Sequence, residues 1–152
     1  MSLIALLEQG RTLARRIPFS ALALASRLSI AAVFWRSGRT KVSGFTIREE
    51  TFVLFREEYK VPLLPPDLAA YLSTTAEHVF PILLVIGFAT RLSALGLLAM
   101  TAVIELFVYP GAWPEHGLWA TLLLWILARG PGVVSLDHLI WTRNAPIPVL
   151  AR

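Results

Sequence analysis

Apolar residues in this chain gather into runs too long for the core of a small water-soluble domain. The first extends from Ile17 to Trp35 with one charge inside it, Arg27. The second extends from Leu68 to Phe88 and is interrupted by Glu77, His78 and Pro81. The third covers Leu92 to Tyr109 and holds Glu105. A fourth, Leu118 to Ala128, is clean but short, closed by Arg129 and Gly130-Pro131-Gly132. A helix needs about 20 residues to cross roughly 30 Å of hydrocarbon. The fourth run reaches that length only by starting near Pro114, or by tilting or thinning the bilayer. Trp113, Trp119 and Tyr109 suit a membrane interface at its entry. Lipid offers no partner to an unpaired backbone group, and these runs exceed the length of a barrel strand, so the spans are helices. The pattern predicts an all-α, four-helix transmembrane bundle forming a single domain over residues 1–152, with spans at about 17–36, 67–88, 91–109 and 114–129.

Two further segments are amphipathic. Before the first span, Leu3, Leu6, Leu7, Leu13, Ala14 and Ile17 recur at three- and four-residue spacing, and Glu8, Gln9, Arg11, Thr12, Arg15 and Arg16 occupy the other face. Residues 1–16 read as a helix lying on the membrane surface with basic groups toward anionic headgroups; a plain extension of the first span fits equally well. A cleaved signal peptide fits less well, because the segment after the basic cluster is long and shows no clear small-residue cleavage site. The longest connection, Ser37 to Asp67, exceeds what a bare loop in a compact bundle uses. Phe52, Phe55 and Tyr59 form one helical stripe in it, and Val61-Pro62 and Leu64-Pro65-Pro66 stop any helix there. Thr46 to Tyr59 is therefore expected to be a short amphipathic helix resting on the mouth of the bundle.

Composition agrees. Of 152 residues 56% are hydrophobic and 16% charged, with a mean hydropathy of +0.65, whereas soluble chains carry roughly 25% charge. A net charge of +4 could suggest nucleic acid, but the basic residues flank apolar runs instead of interleaving with aromatics on a polar face; nucleic acid is excluded as a partner and the lipid bilayer is implied. With no cysteine, the chain has no thiol chemistry. Lys and Arg near the span ends give a weak orientation bias. Arg11, Arg15, Arg16, Arg91, Arg129, Arg143 and Arg152 fall on one side, and Arg36, Arg39, Lys41, Arg48, Arg56 and Lys60 on the other. This places both termini in the cytoplasm.

The charges inside the spans are the candidate chemistry, since an ionisable group at mid-bilayer costs roughly 2.5 to 3.5 kcal/mol and needs a partner or a purpose. Counting from the span ends, Arg27 and Glu77 each lie about 15 Å deep at 1.5 Å per residue, so an Arg27–Glu77 pair is the simplest expectation. Glu105 falls nearer the outer face, within reach of Lys41 or Arg39 if the first loop folds back. His78 points about 100° from Glu77, toward a neighbouring helix or the lumen. The functional reading is a polar cavity lined by Arg27, Glu77, His78 and Glu105 and approached past Lys41, able to hold a quinone headgroup or a small anion, or to relay protons. The structural reading is an ion pair that fixes helix register. No metal is expected: His116 and His138 fall elsewhere, leaving too few ligands. Phosphate-loop, HExxH and GxSxG motifs are missing too.

These residues resemble the DoxX family of small bacterial membrane proteins. The resemblance rests on Arg27, on Gly38 and Lys41 in Phe34-Trp35-Arg36-Ser37-Gly38-Arg39-Thr40-Lys41, and on Glu77. It continues through Gly87-Phe88-Ala89-Thr90-Arg91, Gly130-Pro131-Gly132 and Ser135-Leu136-Asp137, in order across most of the chain. It implies a four-helix bundle in the bacterial inner membrane and an association with redox biology, since DoxX-like proteins include a subunit of a thiosulfate:quinone oxidoreductase and a component of an oxidative-stress complex. Carried over to this chain, it marks Arg27, Lys41, Glu77, Arg91 and Asp137. Two functions stay open: an oxidoreductase membrane subunit without independent activity, binding quinone as its cofactor beside a redox enzyme, and a non-enzymatic scaffold or assembly factor that docks a partner protein on the Thr46–Tyr59 helix.

Overall fold

The computed structural model describes residues 3–144. The first two residues of the expected surface helix, and Arg152 of the orientation argument, lie outside them. The elements in order are α1 (Leu3–Arg15), α2 (Phe19–Thr40), a hairpin of β1 (Val42–Ser43) and β2 (Thr46–Ile47), α3 (Glu49–Leu54), α4 (Pro66–Ile86), α5 (Thr90–Val103), α6 (Trp113–Arg129) and α7 (Leu136–Asn144). Two of them run on into a single π-helical turn: α3 through Phe55–Tyr59 and α5 through Ile104–Val108.

Four long helices form the body. α2 packs against α4 and α6, and α5 packs against the same two. All four supply the core: Ile30, Ala31 and Phe34 from α2, Leu84 from α4, Ala94 and Leu97 from α5, Leu123 and Ile126 from α6. Small residues let the backbones approach, as helices in lipid require; at Gly38 of α2, a methyl group would lie 2.9 Å from the His78 ring and 3.1 Å from Cβ of Glu77. The outward faces carry large apolar side chains in turn, among them Leu22, Leu28, Val79, Ile82, Leu92 and Leu95. Water would not tolerate such a surface; hydrocarbon does. Three helices, Phe19–Thr40, Pro66–Ile86 and Thr90–Val108, are long and apolar enough to cross a membrane.

The ends of the elements differ from expectation in ways that matter. Pro18, at φ −69° and ψ 135°, cannot continue a helix from α1, so α1 is a separate element with no buried residue. α2 starts at Phe19 and not Ile17, and it continues past Arg36 to Thr40, which makes Lys41 its C-terminal cap. The loop helix begins at Glu49, not Thr46. Thr46 and Ile47 pair instead with Ser43 and Val42, across a turn in which Gly44 takes φ +62°. Phe55 then packs against Ala69 and Ala70 of α4, flanked by Phe52 and Tyr59. The aromatic stripe is turned inward; Phe55, proposed above on a docking helix, is 4% exposed.

Candidate functional site

The expected Arg27–Glu77 pair does not form. Arg27 spends its guanidinium on four carbonyl oxygens: Nε donates to Leu84 at 2.8 Å, Nη2 to Val85 at 3.1 Å, and Nη1 to Pro131 at 2.7 Å and Val134 at 2.8 Å. The cause lies at the end of α4. Gly87, at φ +70°, turns the chain, and the N–H groups of Gly87 and Phe88 satisfy Leu83, which leaves the carbonyls of Leu84 and Val85 without helical partners. A cation at a helix C-terminus is favourable in its own right. The depth count failed because it set both spans on one plane. The first turns of α4 stand above the end of α2, alongside Phe55, so Gly38 and not Arg27 is level with Glu77.

At this same Gly87 end, Asp137 accepts the backbone N–H groups of Ala89 and Thr90, each at 2.8 Å, and its own N–H donates to Gly87. The carboxylate thus caps α5, whose start is strained by Ala89 at φ 47°. Arg27 and Asp137 together tie the α4–α5 turn to the loop after α6.

Glu77 pairs with Lys41. The ammonium donates to its two carboxylate oxygens at 2.7 and 3.0 Å and to Ser37 Oγ at 3.0 Å, while the Ser37 hydroxyl donates to Oε1 at 3.2 Å. The two side chains are 9% and 3% exposed, so this is a buried ion pair with its hydrogen-bonding capacity filled. Local structure aims Lys41 inward. Its carbonyl accepts the Thr51 hydroxyl and the Arg48 N–H, which hold the hairpin and α3 across the end of α2.

The pair forms one wall of a cavity of about 320 Å³. Phe34, Phe80, Met100 and Trp119 supply much of the apolar lining, and Ser37, Ser73, Tyr59, Tyr109 and His116 the remaining polar groups. The two π-helical turns meet at its mouth, where the rings of Tyr59 and Tyr109 stand edge to face with centroids 5.7 Å apart. Such turns often mark functional sites, because the extra residue re-aims the side chains after it. Burial among apolar groups, aided by the Tyr109 hydroxyl, holds the Tyr59 phenol above the usual tyrosine range, so it is a protonated donor at neutral pH.

Glu105 does not reach Lys41 or Arg39. It lies in the π turn of α5 and meets Nδ1 of His116 at 2.6 Å. His116, set aside in the sequence, is 4% exposed and lines the cavity. Its Nε2 makes no hydrogen bond to the described residues. Pro114 in the first turn of α6 was the signal that His116 sits at a helix start facing the end of α5. His78 turns away from the cavity: Nδ1 meets the Thr74 carbonyl at 2.7 Å, and the ring stands edge-on to Trp35. Of the five residues expected at the site, then, Lys41 and Glu77 line the cavity and Glu105 backs it, whereas Arg27 and His78 are engaged elsewhere. Ser37, Ser73, Tyr59, Tyr109 and His116 supply the cavity's other polar groups. Among the described residues no three His, Asp or Glu side chains converge as a metal site would need.

An apolar helical body with outward-facing hydrocarbon side chains and a buried ion pair beside an interior cavity is an α-helical membrane protein. The chain belongs to the DoxX family, whose family model matches residues 22–110. A Haemophilus influenzae protein described as uncharacterized is 28% identical over 124 residues, which cover 75% of this chain and 80% of the relative. No solved structure matches the chain.

Proposed function

We propose that this protein is the membrane subunit of a redox system and that the Lys41–Glu77 cavity holds a quinone headgroup. The observation that carries the reading is a cavity of about 320 Å³ whose walls are apolar except for a satisfied ion pair, two phenols, one imidazole and the hydroxyls of Ser37 and Ser73. Ligand sites commonly take this form, at roughly 300–1,000 Å³ with a few placed polar groups. Lys41 is neutralised by Glu77, which favours an uncharged, carbonyl-bearing ligand over a small anion. A quinone supplies two carbonyl acceptors and two-electron chemistry; the chain supplies a donor at Tyr59 and a base or acid at His116 Nε2, beside the neutralised Lys41–Glu77 pair. Glu105, on the opposite ring nitrogen, fixes the His116 tautomer and connects it to the more exposed side of the bundle, a route for a proton. Electrons would come from a partner redox enzyme.

In the same reading α6 is a fourth span. At 17 residues it is about 25 Å long, a few ångströms short of the hydrocarbon thickness. Its exposed Leu118, Leu124 and Trp125 nevertheless continue the apolar exterior. Four spans would put both termini on one side; the arginines around the Gly87 end support the cytoplasmic side of a bacterial inner membrane, with α1 on that surface.

The test is a titration of purified protein in detergent with a short-chain ubiquinone, read by quenching of tryptophan fluorescence. Saturable quenching is expected, weakened in Tyr59→Phe and in Glu77→Gln. Binding unchanged in Glu77→Gln removes the role given to that carboxylate; quenching that never saturates overturns the quinone reading.

A further inference from the structure

The Gly87 end carries a second hollow, unconnected with the Lys41 cavity. It is a groove of about 580 Å³ between the start of α2, the α4–α5 turn and the Gly130–Gly132 loop. Two arginines lie on it. Arg129 places its guanidinium over the rings of Phe19 and Trp125, with Cζ 5.5 and 5.4 Å from their centroids, and this stacking fixes the plane while leaving the N–H edges unused. Arg91 rests against Gly130, 3.4 Å from where a β-carbon would stand, so a side chain at that position would crowd it. Neither guanidinium makes a hydrogen bond or an ion pair to the described residues. The one carboxylate on the groove, Asp137, gives its two oxygens to the N–H groups of Ala89 and Thr90. Thr90 underlies the groove, fully buried.

Two uncommitted guanidinium forks on one groove suit an oxyanion that presents several oxygens, and phosphate is the one such forks match best. The other wall is apolar: Leu92 is 66% exposed and Trp141 80% exposed. A free phosphate would leave those side chains uncovered, whereas the glycerol and acyl chains of a lipid would cover them. We propose that this groove is a binding site for an anionic phospholipid, with Arg91 and Arg129 on the phosphate and Phe19, Leu92 and Trp141 against the acyl chains. Basic pockets between membrane helices hold such headgroups elsewhere. The site is independent of the quinone reading and stands if that reading falls.

Native mass spectrometry of the full-length protein, released from micelles containing phosphatidylglycerol and phosphatidylcholine in equal amounts, tests it. One phosphatidylglycerol is expected to stay bound in preference to phosphatidylcholine. At the energy typical of a basic residue near an anionic membrane surface, retention should fall roughly fivefold in Arg91→Gln or Arg129→Gln and about thirtyfold in the double variant. Arg143→Gln, on α7 outside the groove, should leave it unchanged, and Arg129→Lys should restore part of it. Equal retention of the two lipids, or a folded double variant that binds like the parent, overturns the proposal. Displacement of the lipid by millimolar inorganic phosphate assigns the groove to free phosphate and overturns it as well.

Discussion

Replacing the members of the buried pair, singly and together, tests the central correction to the expected charge pairing. Lys41→Met leaves the Glu77 carboxylate 3% exposed with the Ser37 hydroxyl as its remaining partner. Stranding one member of a buried pair typically costs about 3–5 kcal/mol, and a loss of at least about 3 kcal/mol is expected. Glu77→Leu alone strands the ammonium to a similar degree. Lys41→Met with Glu77→Leu removes both charges, and such replacements are often close to neutral. The coupling energy between positions 41 and 77 should therefore be at least about 2 kcal/mol, within the range found for close charge pairs. Arg27 bonds at Leu84, seven residues along α4 from Glu77, or about 10 Å. At that separation effects add to within about 0.5 kcal/mol, so Arg27→Met and Glu77→Gln should show no coupling. Unfolding by sodium dodecyl sulfate in mixed micelles, followed by fluorescence of the five tryptophans, reads every variant on one scale. Coupling below about 0.5 kcal/mol between 41 and 77, or above it between 27 and 77, would refute the assignment.

Gly38→Ala is expected to destabilise by about 1–3 kcal/mol, because its methyl meets the His78 ring and Glu77 where α2 and α4 are closest. Gly117→Ala, with nothing nearer than 3.8 Å, should be neutral or gain up to about 1 kcal/mol of helix propensity; equal effects in the same unfolding assay would contradict the packing described. Alkaline titration followed in the ultraviolet should show one phenol ionising later than the others, and Tyr59→Phe should abolish that late step. Because burial raises the folded-state pKa of Tyr59 above an unfolded value of about 10, its contribution to stability is present below about pH 10 and is lost as pH rises through the folded value. A Tyr59→Phe protein with the same loss of stability above pH 10 as the parent would exclude that origin.

The solvent this protein folds in, and the rough course of its long helices, follow from local composition alone. Long apolar runs and scarce charge admit only a lipid-facing exterior, and Pro62, Pro65 with Pro66, and Gly130-Pro131-Gly132 punctuate the helices by local sterics, which require no knowledge of neighbours. Even the short helix before α4 was legible from the spacing of Phe52, Phe55 and Tyr59, although the Gly44 hairpin trimmed its start. Which charges meet was decided by tertiary structure. Pairing depends on the axial offset between α2 and α4, and that offset is set by contacts distant in sequence: Gly38 on His78 and Phe55 on Ala69 and Ala70. Arg27 goes to the open carbonyls at the end of α4 because they are nearer than Glu77, and Lys41 goes to Glu77 because Thr51 folds the hairpin over it. His116 joined the site for the same kind of reason. Its partner Glu105 lies in a π turn, and no spacing rule along the chain announces where a helix will widen by one residue.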